Sequence, residues 1–229
     1  MGVTNGFSSR YSAGLAANVF TPGVDVHAQG AGQWQEESAA FFAGGVSIPI
    51  TPYLKPTFLA GTSTDNRGIL PQLYLYGKVT YTAPAEIGLV VAPAFTYRSY
   101  RNTVQESVPR LELIYYLPPN PNGSFVLLQA AGSVSFVSPG YHTGFEISGA
   151  ASYIVPKQWT AGLEVFGGQM AYDNIICVTA CGIQNGFIGA RPKVTLFATD
   201  RLELIARGEI VHTDFYNMFG GTLGVKVSF

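Results

Sequence analysis

The chain has 229 residues and a formal net charge of −1, with 12% charged and 13% aromatic residues, 27 glycines and a mean hydropathy of +0.21. A pI near 6.3 leaves no basic footprint, so nucleic acid is not an expected partner. No stretch reaches the roughly 20 consecutive apolar residues of a transmembrane helix, and no apolar signal-type region follows Met1. The sequence therefore reads as a mature chain, with Met1 added for expression or left by processing.

From the N-terminus, alternating segments recur at about 9–20, 24–34, 39–50, 54–62, 71–82, 86–99, 106–117, 124–136, 142–155, 158–171, 185–198, 201–213 and 217–229. Clusters of Pro, Gly, Asn or Asp bound each of them. At roughly 10 to 13 residues they exceed the usual soluble strand of about 5–6 and match the 9–11 that cross a bilayer at a tilt. Single-chain bacterial barrels hold an even number of strands. The thirteen segments are thus expected to give about twelve strands, with 9–20 short of a full span, or fourteen if a short first strand lies near GVTNGF.

The connections fall into two alternating classes. One is tight and turn-coded: TPG at 21–23, TPY at 51–53, APAE at 83–86, PPNPNG at 118–123, PK at 156–157 and TDR at 199–201. The other is polar and mostly longer: EESA, STDNRGILP, RNTVQES, SPGY and the 172–184 segment. Outer-membrane barrels show this asymmetry, with the C-terminus on the short-turn, periplasmic side and the long loops outside. No linker or second domain interrupts the series, so residues 1–229 are expected to form a single domain.

Side-chain alternation carries the fold expectation. In QLYLYGKVTYT, Leu73, Leu75, Val79 and Tyr81 oppose Gln72, Tyr74, Tyr76, Lys78 and Thr80. PRLELIYYL sets Arg110 and Glu112 against Leu111, Leu113 and Leu117, and RLELIARGEI sets Glu203, Arg207 and Glu209, with Ile205 the exception, against Leu202, Leu204 and Ile210. The terminal TLGVKVSF continues the pattern, with Lys226 against Val225, Val227 and Phe229. A soluble sandwich would wet the charged face, whereas a membrane barrel turns it inward. Trp34, Tyr81, Tyr97, Tyr115, Tyr153, Trp159 and Phe229 lie on apolar faces near segment ends, where a membrane barrel carries its interfacial aromatics. The expected fold is all-β: a single transmembrane antiparallel up-and-down β-barrel in the bacterial outer membrane, with lipid as its surrounding partner.

The expected inward residues are Asp25, His27, Lys55, Lys78, Arg98, Arg110, Glu112, Glu146, Glu164, Arg191, Lys193, Glu203, Arg207, Glu209 and Lys226. Signs are mixed, and Arg191 or Lys193 is expected to face Glu203 and Glu209. Such a set either fills a narrow lumen as a satisfied ion-pair network or lines a polar conduit. Inward Tyr74, Tyr76, Tyr100 and Tyr116, with Phe166 and Phe197, could stack on sugar rings, although such residues also fill interiors.

Catalytic signals are sparse. His212 with Asp214, in EIVHTDFYN near the exterior rim, is the best candidate pair and would need a loop nucleophile; His27 beside Asp25 is weaker. A satisfied or solvent-facing histidine is the alternative. Cys177 and Cys181 lack a second Cys or His pair that would make a zinc site, and are expected to close a small disulfide loop, with two unrelated free thiols as the alternative. No metal or cofactor is expected. Pro56, Pro93 and Pro192 inside apolar runs predict β-bulges.

TYRSYR at 96–101, LELIYYLP at 111–118 and SGAASYIVPKQWTAGLEVFGGQMAYD at 148–173 together resemble the YaiO-type outer-membrane barrel family. These motifs are degenerate and span about half the chain. The resemblance implies a channel or accessory barrel linked to exopolysaccharide export, with no established catalytic residues. The final Phe229 also resembles the C-terminal signature of bacterial outer-membrane proteins, which implies recognition by the barrel assembly machinery. A passive channel or accessory pore is thus the leading expectation. A rim enzyme acting on lipid or peptide and a closed structural or adhesion barrel are the alternatives.

Overall fold

A strand that is apolar on one face and polar on the other satisfies its backbone only by pairing on both edges. Short turns make the nearest chain neighbour the partner. The structure, a computed structural model, describes residues 11–227 apart from 21–22, 35–37, 66–69, 102, 140–141, 172–184, 200–201 and 215. Its strands are β1 Tyr11–Phe20, β2 Asp25–Trp34, β3 Ser38–Ser47, β4 Leu54–Ser63, β5 Leu73–Thr82, β6 Leu89–Ser99 and β7 Gln105–Tyr116. They continue as β8 Phe125–Ser138, β9 His142–Val155, β10 Trp159–Met170, β11 Asn185–Thr199, β12 Leu202–Thr213 and β13 Asn217–Val227.

All thirteen lie in one sheet in sequence order, each antiparallel to the strand before it. This is the up-and-down topology of a transmembrane barrel. One cavity is lined jointly by Arg110 on β7 and Gly220 on β13, so the sheet curls on itself. Among the described residues no ladder joins β13 to β1.

The distribution of side chains is the reverse of a soluble protein's. Phe58, Ile147, Leu163 and Ile188 are each at least half exposed on the outer face. Leu111, Leu113, Val165, Leu196 and Leu204 share that face. No second sheet covers them among the described residues, which removes the sandwich alternative. Hydrocarbon satisfies such a face and water does not. Tyr81, Tyr115, Tyr153 and Trp159 gather on the outer face at the short-turn end, the last two with rings 5.6 Å apart. This is the interfacial aromatic belt of a membrane barrel. The side chain of Trp34 and the whole of Phe229 lie outside the described residues.

Two expectations need correction. The segment at 9–20 is a full strand: β1 pairs with β2 at ten consecutive positions, from Tyr11↔Trp34 to Phe20↔Asp25. The described strands therefore number thirteen. The small residues of YSAGLAANVF weaken the alternation without weakening the ladder, since backbone groups make the bonds.

The prolines do not make bulges. Pro56↔Val79, Pro93↔Leu111 and Leu163↔Pro192 are regular pairs. Where a proline's missing N–H faces a neighbour, the ladder lapses and then resumes in the same register. β5–β6 passes from Lys78↔Ala94 to Tyr81↔Val91, and β11–β12 from Ala190↔Ile210 to Lys193↔Arg207. The register shift in these ladders falls instead between Phe197 and Thr199, at the end of β11.

Candidate functional site

Residues paired across an antiparallel ladder share a face. Following the registers from β2 to β13 puts Asp25, His27, Lys55, Lys78, Arg98, Arg110, Glu112, Glu146, Glu164, Arg191, Lys193, Glu203, Arg207 and Glu209 on the inner face. Lys226 pairs opposite Glu203, and its side chain lies outside the described residues. Most of the charges are bonded to one another. Lys55 binds Asp25, Arg98 donates to Glu106 at 2.7 Å, and Arg110 donates to Glu146 at 3.4 Å. Lys78 lies 3.8 Å from Glu112, which also accepts from Gln129 Nε2 at 2.9 Å.

Three of these pairs span two strands. Lys78 on β5 reaches Glu112 on β7 above Ala94 and Ala92 of β6, the residues in register with them. Arg110 on β7 reaches Glu146 on β9 above Ser133 of β8. Asp25 on β2 reaches Lys55 on β4 past Ser47 of β3. Small side chains on the intervening strand leave the room for these arches.

A cavity of about 830 Å³ lies against β7 to β13. At its centre Arg191 takes two carboxylates, Glu209 at 2.7 Å and Glu164 at 3.5 Å. Its guanidinium carbon sits 3.7 Å above the ring of the buried Phe166, which packs at 6.1 Å on Phe187. Two residues further along β11, Lys193 stands opposite Arg207, and both side chains are exposed. The expected Arg191–Glu209 contact is present, and Glu164 joins it as a second partner.

A second cavity of about 290 Å³ lies at β2–β5, lined by His27, Ser47, Thr57, Tyr76 and Lys78. Here His27 Nε2 meets Ser47 Oγ at 2.7 Å, and that hydroxyl meets Thr57 Oγ1 at 2.7 Å. The neighbouring Asp25 binds Lys55. Ser47 is buried in the wall, while His27 and Thr57 are half-buried beside it.

The four tyrosines do not form one track. Tyr74 and Tyr76 lie mid-strand on the inner face, Tyr74 edge-on to Phe41 at 5.5 Å. Tyr100 packs at the long-loop end on Val104, Val137 and Ala171. Tyr116, at the short-turn end, lies 6.2 Å from Phe125.

His212 and Asp214 are each engaged elsewhere. His212 is on the outer-facing parity, opposite Ile188, with Nδ1 at 2.6 Å from Asn217 Oδ1. Asp214 Oδ2 accepts from Gly186 N at 2.7 Å, an anchor for the β11–β12 rim. Cys177 and Cys181 lie outside the described residues. The sequence reading left Glu106 off the inward residues, although it opens the segment 106–117. Its even-numbered parity with Arg110 and Glu112 on β7 is the signal that would have found it.

An apolar outer face, an aromatic belt and a charged inner face define an outer-membrane-type barrel. No family model matches the chain, and no curated protein matches it. Among solved structures, a bacterial polysaccharide outer membrane secretin matches with a TM-score of 0.65 at 10% identity, over 96% of this chain and 80% of that one. Wzi, an outer-membrane protein involved in group 1 capsule assembly in Escherichia coli and described as a carbohydrate-binding β-barrel, aligns at a TM-score of 0.43 with 9% identity. That alignment covers 95% of this chain and 78% of that one, and its score is too low to carry an argument. At 10% identity the likeness to the secretin shows a shared fold.

Proposed function

We propose that this chain is a bacterial outer-membrane barrel whose hydrated lumen passes or holds a saccharide chain, without cofactor. The observation that carries the reading is the 830 Å³ cavity on the inner face, walled by charged and small side chains while the large apolar ones face outward. Three of the ion pairs reach along the wall across an intervening strand. Serine, threonine and glutamine in the same wall supply hydrogen bonds for sugar hydroxyls, and Tyr76 offers a ring for stacking in the second cavity. The secretin of like fold handles polysaccharide by its description, and the motifs that resemble YaiO-type barrels agree with that class.

The test is single-channel recording of the refolded protein in a planar bilayer, with and without neutral oligosaccharide. Steady conductance that sugar reduces supports the conduit. Silence from a verified folded barrel would defeat it.

A closed structural barrel is the second reading. The cluster of Val104, Val137 and Ala171 under Tyr100, at the long-loop end, favours it as the start of a plug. A rim enzyme finds no support in the hydrogen bonds of His212 and Asp214.

A further inference from the structure

We propose that the second cavity, on β2 to β5, is a subsite for a neutral pyranose ring of a saccharide chain. The inference rests on the saccharide reading above and names the substrate class at one place in the lumen. The registers build a dish there on the inner face. Tyr74 and Tyr76 stand on β5 at one side, and Gln29 and His27 on β2 at the other. Between them lie Ala43 and Gly61 in the row of Tyr74, and Gly45 and Leu59 in the row of Tyr76. At about 290 Å³ the cavity lies at the small end of ligand pockets, the scale of one or two sugar rings.

The floor of the dish is apolar, unlike the charged wall of the larger cavity. Two glycines let inner-face side chains lie down on the sheet. A Cβ on Gly45 would stand 2.6 Å from Leu59 Cδ2, and one on Gly61 would stand 3.0 Å from Phe41 Cζ. Phe41 in turn meets Tyr74 edge-on at 5.5 Å. Such a patch facing a hydrated lumen gains free energy when a ligand with an apolar face covers it.

The edge of the dish is polar and held in place. His27 Nε2, Ser47 Oγ and Thr57 Oγ1 form a chain with 2.7 Å steps, and Gln29 is exposed beside it. A pyranose with equatorial hydroxyls has this same division, with C–H groups on its faces and hydroxyls around its edge. A tyrosine ring takes the face, while amide, imidazole and hydroxyl groups take the edge. Charge points to a neutral ring. Among the described residues lining the cavity no acid is present, and its base, Lys78, lies 3.8 Å from Glu112. A carboxylate would therefore meet a cation already compensated.

The test is calorimetric titration of the refolded full chain in a zwitterionic detergent that carries no sugar. The probes are a cello-oligosaccharide and an oligogalacturonate of equal length. Tyr76→Leu, Tyr76→Phe and Gln29→Ala are compared with the parent, and the heat-dependent gel shift of a folded barrel verifies each. The cello-oligosaccharide is expected to bind about five-fold more weakly to Tyr76→Leu and about three-fold more weakly to Gln29→Ala. Tyr76→Phe, which keeps the ring, should stay within about two-fold of the parent. Unchanged affinity in both Tyr76→Leu and Gln29→Ala would overturn the subsite. Uronate binding tighter than that of the neutral sugar would overturn its substrate class. Conductance that sugar reduces equally in the parent and Tyr76→Leu would keep the saccharide lumen and remove the subsite; a silent bilayer with Tyr76-dependent binding would do the reverse for the conduit.

Discussion

Arg110 and Glu146 meet at 3.4 Å although they stand on β7 and β9, with Ser133 of β8 in register between them. The small serine is what lets a charged pair cross a whole strand. The arch predicts that Ser133→Leu, which places a bulky body beneath it, lowers stability by about 1–3 kcal/mol, the usual cost of overpacking. Ser133→Ala should fall within about 0.5 kcal/mol of the parent. Equilibrium urea unfolding from lipid vesicles measures both.

Arg191 is the hub of the larger cavity's charge. Arg191→Met leaves Glu164 and Glu209 facing each other without their shared cation and removes the guanidinium from Phe166. The side chains are 27 to 40% exposed, so the buried-pair penalty must be discounted to about 1–2 kcal/mol. Adding Glu164→Gln and Glu209→Gln to the variant should restore most of the loss, and the same unfolding assay reads the recovery.

The two faces should respond oppositely to a new charge. Leu163→Arg, on the outer face, is expected to cost about 2–4 kcal/mol if the position lies near the bilayer midplane. Gln129→Arg, on the inner face and within reach of Glu112, should stay within about 0.5 kcal/mol. Folding yield and unfolding midpoint in vesicles compare the pair.

At the rim, Asp214→Ala removes the acceptor of the Gly186 amide and should cost about 1 kcal/mol. His212→Ala, at an exposed position, should cost less than half of that. Phospholipid hydrolysis by the folded protein is expected to match protein-free vesicles. Hydrolysis that either substitution abolishes would revive the enzyme reading.

Most of the fold was legible because a period of two survives any tertiary context that keeps one face in lipid and the other in water. Leu111, Glu112 and Leu113 show it in three letters, and the ladders set Glu112 on the face opposite to Leu111 and Leu113. Strand number was harder to read, since it rests on β1, where Ala and Gly on both faces blur the alternation that backbone pairing ignores. The prolines misled for a related reason: an outer-face proline drops a hydrogen bond to one neighbour while the bonds around it hold the register. The site was legible only as a list of inward residues. Which charges pair depends on sheet curl and on the small residues between them, so the reach of Arg110 over Ser133 has no signature in the sequence. The Lys193–Arg207 opposition follows from hairpin register, which the turn at 199–201 alone did not specify.

The central claim is that the apolar face meets lipid and the charged face meets water. Its most direct test places single cysteines at Leu111, Glu112 and Leu113 and at Leu163, Glu164 and Val165, in a background of Cys177→Ser and Cys181→Ser. An environment-sensitive probe on each is then exposed to a quencher carried in the lipid and to one dissolved in water. The predicted result is strict alternation, with Leu111, Leu113, Leu163 and Val165 quenched from the lipid and Glu112 and Glu164 quenched from water. Equal quenching of neighbours, or the opposite alternation, would contradict the barrel.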